Sequence, residues 1–375
     1  GVVFTAYPVS SLDLHASSSW TTLATLSVPA TACDGTPTLS GQTLGNGVPS
    51  NPTDTNGLTT LSNLPVAAYL VCETTAPATV VDKAQPFVVT MPFPDTTQNG
   101  GTTQGWLYDV NVYPKNGVAS IHKSVVPQSS FGLGSTVTFP VTTDIPAIAP
   151  NASFTHYWVS DPLDSRLTSP AVASVTVDGT AVDPTYYTTS VTNGYVWVSF
   201  NQQGLIWLTS QAGKQLVTTF TATVGTLGTG SIQNTAYLDA ATQVSEQPPT
   251  TPENPPNNPQ TPGEPSDPVT LNWGELKITK VDAGNPTTAL AGATFEVYAA
   301  ADPYAATCST ATSGNAIQVN GVSTFTSDSN GLVDVAGLFV SDSANAPINA
   351  TQRCYVVKEV QAPTGYVTPS GDAAL

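Results

Sequence analysis

Residues 64–78 read LPVAAYLVCETTAPA, and residues 350–366 read ATQRCYVVKEVQAPTGY. Each runs from an apolar segment through a cysteine to an acid, Glu73 or Glu359, and then to Ala-Pro. A second match lies upstream of each copy. GVVFTAYPV (1–9) parallels GATFEVYAA (292–300). Short runs rich in Val, Tyr and Phe, bounded by Gly, Pro, Asn and Asp, read as strands. The two ends of the chain are therefore copies of one β-unit.

Between the copies, STVTFPVTT (135–143), YVWVSF (195–200) and LVTTFTATV (216–224) read as further strands. No long stretch carries apolar residues at helical spacing. The fold class is all-β, with three tandem immunoglobulin-like sandwiches forming an elongated rod. Residues 245–268, SEQPPTTPENPPNNPQTPGEPSDP, contain nine prolines and read as a semi-rigid polyproline II spacer. The expected divisions are 1–116, a middle sandwich 117–246, a linker 247–269 and a last sandwich 270–375. The last unit opens with ELKITKVD (275–282) ahead of its GATFEVY. The first unit opens directly on GVVFTAYPV, and the chain stops at GDAAL without an anchor sequence, so it reads as a fragment of a longer precursor.

Twenty-six acids against nine basic residues give a net charge of −17. Such a surface repels phosphate backbones, which argues against nucleic acid, and suits anionic membranes poorly. Four cysteines fall two and two at opposite ends of the chain. The expected pairs are Cys33–Cys72 and Cys308–Cys354, which imply an exported protein; four buried thiols are the alternative. No Cys/His cluster suggests zinc, and the three histidines form no triad pattern. An acidic loop could take up calcium, but no EF-hand spacing supports it; no other cofactor is expected.

Residues 106–116 read WLYDVNVYPKN. Trp106, Tyr108, Val110 and Val112 alternate as in a strand, which Pro114 should end, leaving Lys115 at a domain edge. This stretch resembles the pilin motif of Gram-positive, sortase-assembled pilus shaft subunits, a Trp followed by V-x-V-Y-P-K. The resemblance implies that Lys115 attacks a thioester held by a sortase on another subunit, which forms an intersubunit isopeptide bond. Scarce lysine and abundant Ala and Thr also resemble the fimbrial shafts of oral Actinomyces.

The same resemblance gives the acid-centred repeat a role. YVVKEVQAPTGY (355–366) is similar to the family's E-box, with Glu359 as its acid; CETTAPA (72–78) is a degenerate copy centred on Glu73. In the family such an acid promotes a Lys–Asn isopeptide bond within a CnaB-type sandwich. In ELKITKVD, Leu276, Ile278 and Lys280 share one face, so Lys280 points inward and Lys277 to solvent. The family's partner Asn lies on a later strand, beyond Leu375. In ASIHKSVV (119–126) Ile121 and Lys123 share a face, and GSIQNTAYLD (230–239) supplies Asn234. YWVSDPLDSRL (157–167) supplies Asp161, preferred over Asp164 as promoter. These three resemble the Lys, Asn and Asp of a CnaA-type sandwich. An inward lysine is costly without a partner, which favours this reading over a chance placement. For the first unit Asn116 is a candidate cross-link partner, with a lysine upstream of Gly1.

The resemblance implies a structural subunit rather than an enzyme, its chemistry limited to single-turnover self-cross-linking. Expected partners are identical subunits, a pilus sortase, and host glycoprotein or bacterial surface receptors. The expected location is an extracellular pilus anchored to the Gram-positive cell wall. A wall-anchored monomeric adhesin built from the same domains is the runner-up. A secreted glycan-acting enzyme would need a paired-carboxylate cleft, which the sequence does not display.

Overall fold

The computed structural model describes residues 1–95, 105–256 and 263–374. Its helices are short, chiefly Ser17–Thr25 and Gln202–Thr209, as the lack of helical spacing requires. The chain is all-β, with three sandwich-like units in tandem.

In the N-terminal unit, strand Val3–Pro8 lies between Val48–Pro49 and Ala67–Thr75, and Phe87–Met91 completes an antiparallel sheet. Alternate residues of Ala67–Thr75 feed apolar clusters on opposite faces. Ala68, Leu70 and Cys72 join one; Tyr69 and Val71 join the other. In the last unit, strand Thr294–Ala300 pairs antiparallel with Tyr355–Gln361. The internal repeat is obeyed to the residue. Phe4 stands opposite Glu73, Phe295 stands opposite Glu359, and the ladder slips just before each Phe.

The middle unit packs two sheets face to face. One contains Ile121–Lys123, Thr136–Asp144, Leu167–Val177 and Gln215–Val224; the other contains Ser153–Pro162, Tyr187–Thr192, Tyr195–Phe200 and Tyr237–Gln243. Thr136–Asp144 alternates buried and half-buried residues, with Val137, Phe139 and Val141 turned inward. Tyr195–Phe200 is buried throughout, so a run without strict alternation still forms a strand.

The spacer expected over 247–269 behaves differently. Gln202 Nε2 donates to Pro248 O at 3.0 Å, and Trp158 Nε1 donates to Glu253 O at 2.8 Å. Glu264–Pro265 pairs with Tyr237 and Leu238. The described parts of the proline-rich stretch are thus laid against the middle sandwich. A polyproline segment keeps its carbonyls free, and these carbonyls take the side-chain donors.

The expected start of the last domain also shifts. Strand Val269–Thr279 serves two cores in succession, its ladder slipping at Asn272/Trp273 and Gly274/Glu275 between them. Val269, Leu271 and Trp273 belong to the middle core, whereas Leu276 and Ile278 pack against the last one. Its partners are Ser231–Asn234 at one end and Leu332–Asp342 along its length. The seam is closed by the loop before Thr136. Phe339 N donates to Phe131 O, and Leu133 N donates to Gly337 O, each at 2.8 Å.

Candidate functional site

The middle sandwich holds a lysine, an aspartate and an asparagine in its interior. Lys123 ends strand Ile121–Lys123 opposite Val141, and its inward turn follows from the alternation. Asp161 lies near the end of Ser153–Pro162 in the facing sheet, and Asn234 ends Ser231–Asn234. Lys123 Nζ donates to Asp161 Oδ2, and Asn234 Nδ2 donates to the same oxygen at 3.2 Å. The Lys123 and Asp161 side chains are both at 0% exposure. Phe139 lies beneath the amine, its ring centre 4.7 Å from Nζ. Among the described residues, Asp161 Oδ1 and Asn234 Oδ1 are buried without a partner.

Burial sets the protonation of this group. It pushes the Lys123 amine below the usual lysine range, against the pull of Asp161. It likewise pushes the Asp161 carboxyl up, against the Lys123 charge and the hydrogen bonds from Lys123 and Asn234. Both shifts favour a neutral amine beside a neutral acid. A neutral amine is a nucleophile. Turning the Asn234 amide over exchanges Nδ2 for Oδ1 at the carboxyl, so that a protonated Asp161 can donate to the carbonyl. Asp164, the alternative acid, is engaged elsewhere: Arg166 Nη2 donates to its Oδ2 at 2.8 Å and holds its carboxyl below the ordinary range.

In the last sandwich Lys280 Nζ donates to Glu359 Oε2 at 2.7 Å, with side chains 21% and 7% exposed. Glu359 Oε1 is buried and has no partner among the described residues. Lys277 faces solvent and pairs with Glu275 at 3.2 Å. In the first unit Glu73 is buried and accepts from Ala84 N at 3.0 Å. Asn116 Nδ2 donates to Glu73 Oε1 at 2.9 Å and to Oε2 at 2.8 Å. Each candidate acid therefore meets its candidate lysine or asparagine.

Lys115 is exposed, next to Asn116. The strand expected around it is short. Only Gly105–Leu107 pairs, with Phe93–Asp95, and residues 110–116 join no ladder. Tyr108 is 72% and Tyr113 79% exposed, so no buried face specifies a register there. Trp106 instead rests on Trp20, ring centres 5.5 Å apart.

Both expected disulfides are present, Cys33–Cys72 and Cys308–Cys354, which removes the free-thiol alternative. Among the described residues no three His, Cys, Asp or Glu side chains gather as metal ligands. None of their helices is long and apolar enough to cross a membrane. Sequence reasoning missed Phe139; its inward position in STVTFPVTT was the available signal. It also missed Asp82, whose Oδ2 accepts from Ala149 N and Oδ1 from Thr242 Oγ1, each at 2.7 Å. That acid joins the first unit to the middle one.

Residues 1–117 match the family of Gram-positive pilin subunit D1 N-terminal domains, and residues 274–372 match the prealbumin-like fold domain. The chain is 41% identical over 389 residues to fimbrial subunit type 2 of Actinomyces naeslundii, covering 99% of this chain and 72% of the relative. It belongs to the Gram-positive pilin family. Fimbrial subunit type 1 of Actinomyces viscosus is 28% identical over 400 residues, covering 95% of this chain and 70% of that protein. The Actinomyces fimbrial adhesin FimA superposes on 68% of this pilin and 95% of its own chain, with 37% identity and a TM-score of 0.61. The full-length major pilin SpaD of Corynebacterium diphtheriae covers all of this chain and 83% of its own, with a TM-score of 0.73. At 23% identity that likeness speaks for the fold alone. The pilin is thus a pilus subunit and, like its relatives, a structural protein.

Proposed function

We propose that this pilin is the repeating unit of a covalent shaft, joined to its neighbours by a sortase through Lys115 and tied internally by Lys–Asn isopeptide bonds. The observation that carries the internal chemistry is the single buried Asp161 oxygen that receives both the Lys123 amine and the Asn234 amide. The Lys123 nitrogen attacks Asn234 Cγ. A C–N bond forms, the Cγ–Nδ2 bond breaks, and the amine's proton leaves with the nitrogen as ammonia. Asp161 offers a proton to the carbonyl oxygen as it gains charge and takes it back when ammonia departs. The sandwich supplies proximity, worth roughly 7–11 kcal/mol of barrier in well-oriented systems.

Lys280 and Glu359 repeat the amine–acid half of this arrangement, and Glu73 with Asn116 the acid–amide half. Lys115 differs from Lys123 in being exposed, as an amine that must reach a second subunit requires. A likeness supports the assembly: the Corynebacterium diphtheriae major pilin SpaA, 25% identical with a TM-score of 0.65, is described as pointing to a modular pilus assembly with stabilizing isopeptide bonds. Cell-surface display, wall anchoring and adhesion belong to the same proposal.

Two measurements test it. Lys115→Ala should abolish the high-molecular-weight ladder in cells that make the pilus, and an unchanged ladder would favour a monomeric adhesin. Intact-mass spectrometry under denaturing conditions should show a deficit of about 17 Da for each internal bond, the mass of the ammonia released. A full mass would refute the internal bonds.

A further inference from the structure

The amine and the amide of the middle domain are both held from outside that domain. Lys123 lies on the edge strand of its sheet, and just beyond it Ser124 N and Val126 N donate to Pro140 O and Thr138 O at 2.9 and 3.0 Å. Successive residues of a strand turn their backbone groups to opposite sides, so Val125 O points away from Thr136–Asp144, off the open edge. The last domain supplies its donor. Asn345 Nδ2 donates to Val125 O at 3.0 Å. Asp342 aims that amide: its carboxylate, in a residue 2% exposed, accepts from Ala344 N, Asn345 N and Asn345 Nδ2. One Nδ2 hydrogen serves Asp342 and the other serves Val125.

The same turn reaches the strand of the other partner. Asn234 ends Ser231–Asn234, which among the described residues pairs only with Val269–Thr279, Asn234 opposite Val269 and Gln233 opposite Thr270. Thr270 is gripped in turn by Ser343: Ser343 N donates to Thr270 O at 2.9 Å, and Thr270 N donates to Ser343 Oγ at 2.8 Å. Four consecutive residues, 342–345, thus fix the strand of the amine directly and the strand of the amide through Thr270.

We infer that Asn345 and Ser343 are positioning residues for the Lys123–Asn234 bond, so that a turn of the last domain sets the rate at which the middle domain cross-links. The inference rests on that bond being formed. Neither Asn345 nor Ser343 gains or loses a covalent bond; the new C–N bond and the departing ammonia belong to Lys123 and Asn234 alone. The contribution of the turn is register. Amine and amide arrive on separate strands, and Asp161 sits on a third. A shift of about 1 Å between reacting groups can cost roughly 100-fold in rate. Losing one side-chain hydrogen bond loosens a strand without removing it, so the expected loss is smaller.

The test is cell-free synthesis of the full chain, quenched in denaturant at intervals, with the cross-linked Lys123–Asn234 peptide quantified by mass spectrometry. Asn345→Ala and Ser343→Ala should each slow the appearance of that peptide about tenfold. Ser343→Thr keeps the hydroxyl that receives Thr270 N, and should form the bond at nearly the wild-type rate. In the slow variants the bell of rate against pH should drop in height and keep its position, because Lys123, Asp161 and Phe139 are untouched. A role confined to stability would lower the melting temperature and leave the rate as it was. Where Asn345→Ala shows no cooperative melting, Ser343→Ala against Ser343→Thr carries the comparison. Three results would overturn the inference: wild-type rates in both alanine variants, a Ser343→Thr chain as slow as Ser343→Ala, or a bell displaced along the pH axis, which would mean altered protonation. The wild-type chain keeps the two proposals apart. If it yields no cross-linked peptide and has full mass, the middle-domain bond falls and this inference with it. If it cross-links and the alanine variants do so equally fast, the positioning role alone falls.

Discussion

Lys123 and Asp161 meet across the middle sandwich with both side chains withdrawn from water, Nζ upon Oδ2. Each comes from a different sheet, so the contact forms only once the sandwich has closed.

Asp161→Ala should leave the middle domain at full mass, because the acid that serves the Asn234 carbonyl is gone. It should also destabilise the domain by about 1–3 kcal/mol, since the buried Lys123 amine and Asn234 amide lose their hydrogen-bond partner. Mass spectrometry and thermal denaturation of the same sample read both effects. Lys123→Met should prevent the bond while sparing much of the packing, because Phe139 already offers an apolar seat.

The rate of bond formation should follow a bell in pH. The rising limb reports loss of a proton from Lys123, and burial moves it below the pH at which a free lysine would react. The falling limb reports loss of the acid's proton, and burial moves it above the ordinary carboxyl range. Unlinked chain refolded in a series of buffers, with mass deficit measured against time, gives the profile. An Asn234→Ala chain, which cannot cross-link, should show the same shifts as stability. The raised Asp161 makes the folded state hold a proton that the unfolded state releases, so stability falls as pH climbs through that window. The lowered Lys123 does the reverse, so stability rises again on the alkaline side.

Each disulfide closes a long loop, 39 residues of separation for Cys33–Cys72 and 46 for Cys308–Cys354. Loop entropy grows only logarithmically, so the double-serine variants Cys33→Ser/Cys72→Ser and Cys308→Ser/Cys354→Ser should cost nearly the same, about 4 kcal/mol each. Denaturant titration of the two variants checks this. Only the second should loosen the joint between domains, because Arg353 beside Cys354 lies over Phe131, its guanidinium carbon 4.3 Å from the ring centre.

Gly337 has φ +91°, and a Cβ there would come within 2.0 Å of Leu133 Cγ. Gly337→Ala therefore meets two penalties, a disfavoured backbone and a clash at the seam. A loss of about 1–3 kcal/mol is expected from the backbone alone, with more from displacing Leu133. Thermal denaturation gives the loss, and small-angle scattering should show an altered angle between the middle and last domains.

Much of this architecture was legible because it rests on local rules. The repeat predicted matched units, and the structure places Glu73 and Glu359 opposite equivalent phenylalanines. Alternation alone turned Lys123 inward and Lys277 outward. What failed to read depends on distant partners. Alternation in WLYDVNVYPKN expressed a preference for extended chain, but no neighbouring strand is supplied over residues 110–116. The proline-rich stretch looked like a free spacer because its attachments, Trp158 and Gln202, lie far away in sequence. Asp82 and Arg353 escaped notice for the same reason: each gains its meaning from residues of another domain.

Strand Val269–Thr279 gives Val269, Leu271 and Trp273 to one core and, after register shifts at Asn272/Trp273 and Gly274/Glu275, Leu276 and Ile278 to the next. Side chains in a strand alternate with period two, so inserting or deleting a single residue would turn one of the two sets to the wrong side. Loops elsewhere in the pilin can drift in length as homologues diverge. A one-residue change between Trp273 and Leu276 should therefore be far more damaging than the same change in an exposed loop.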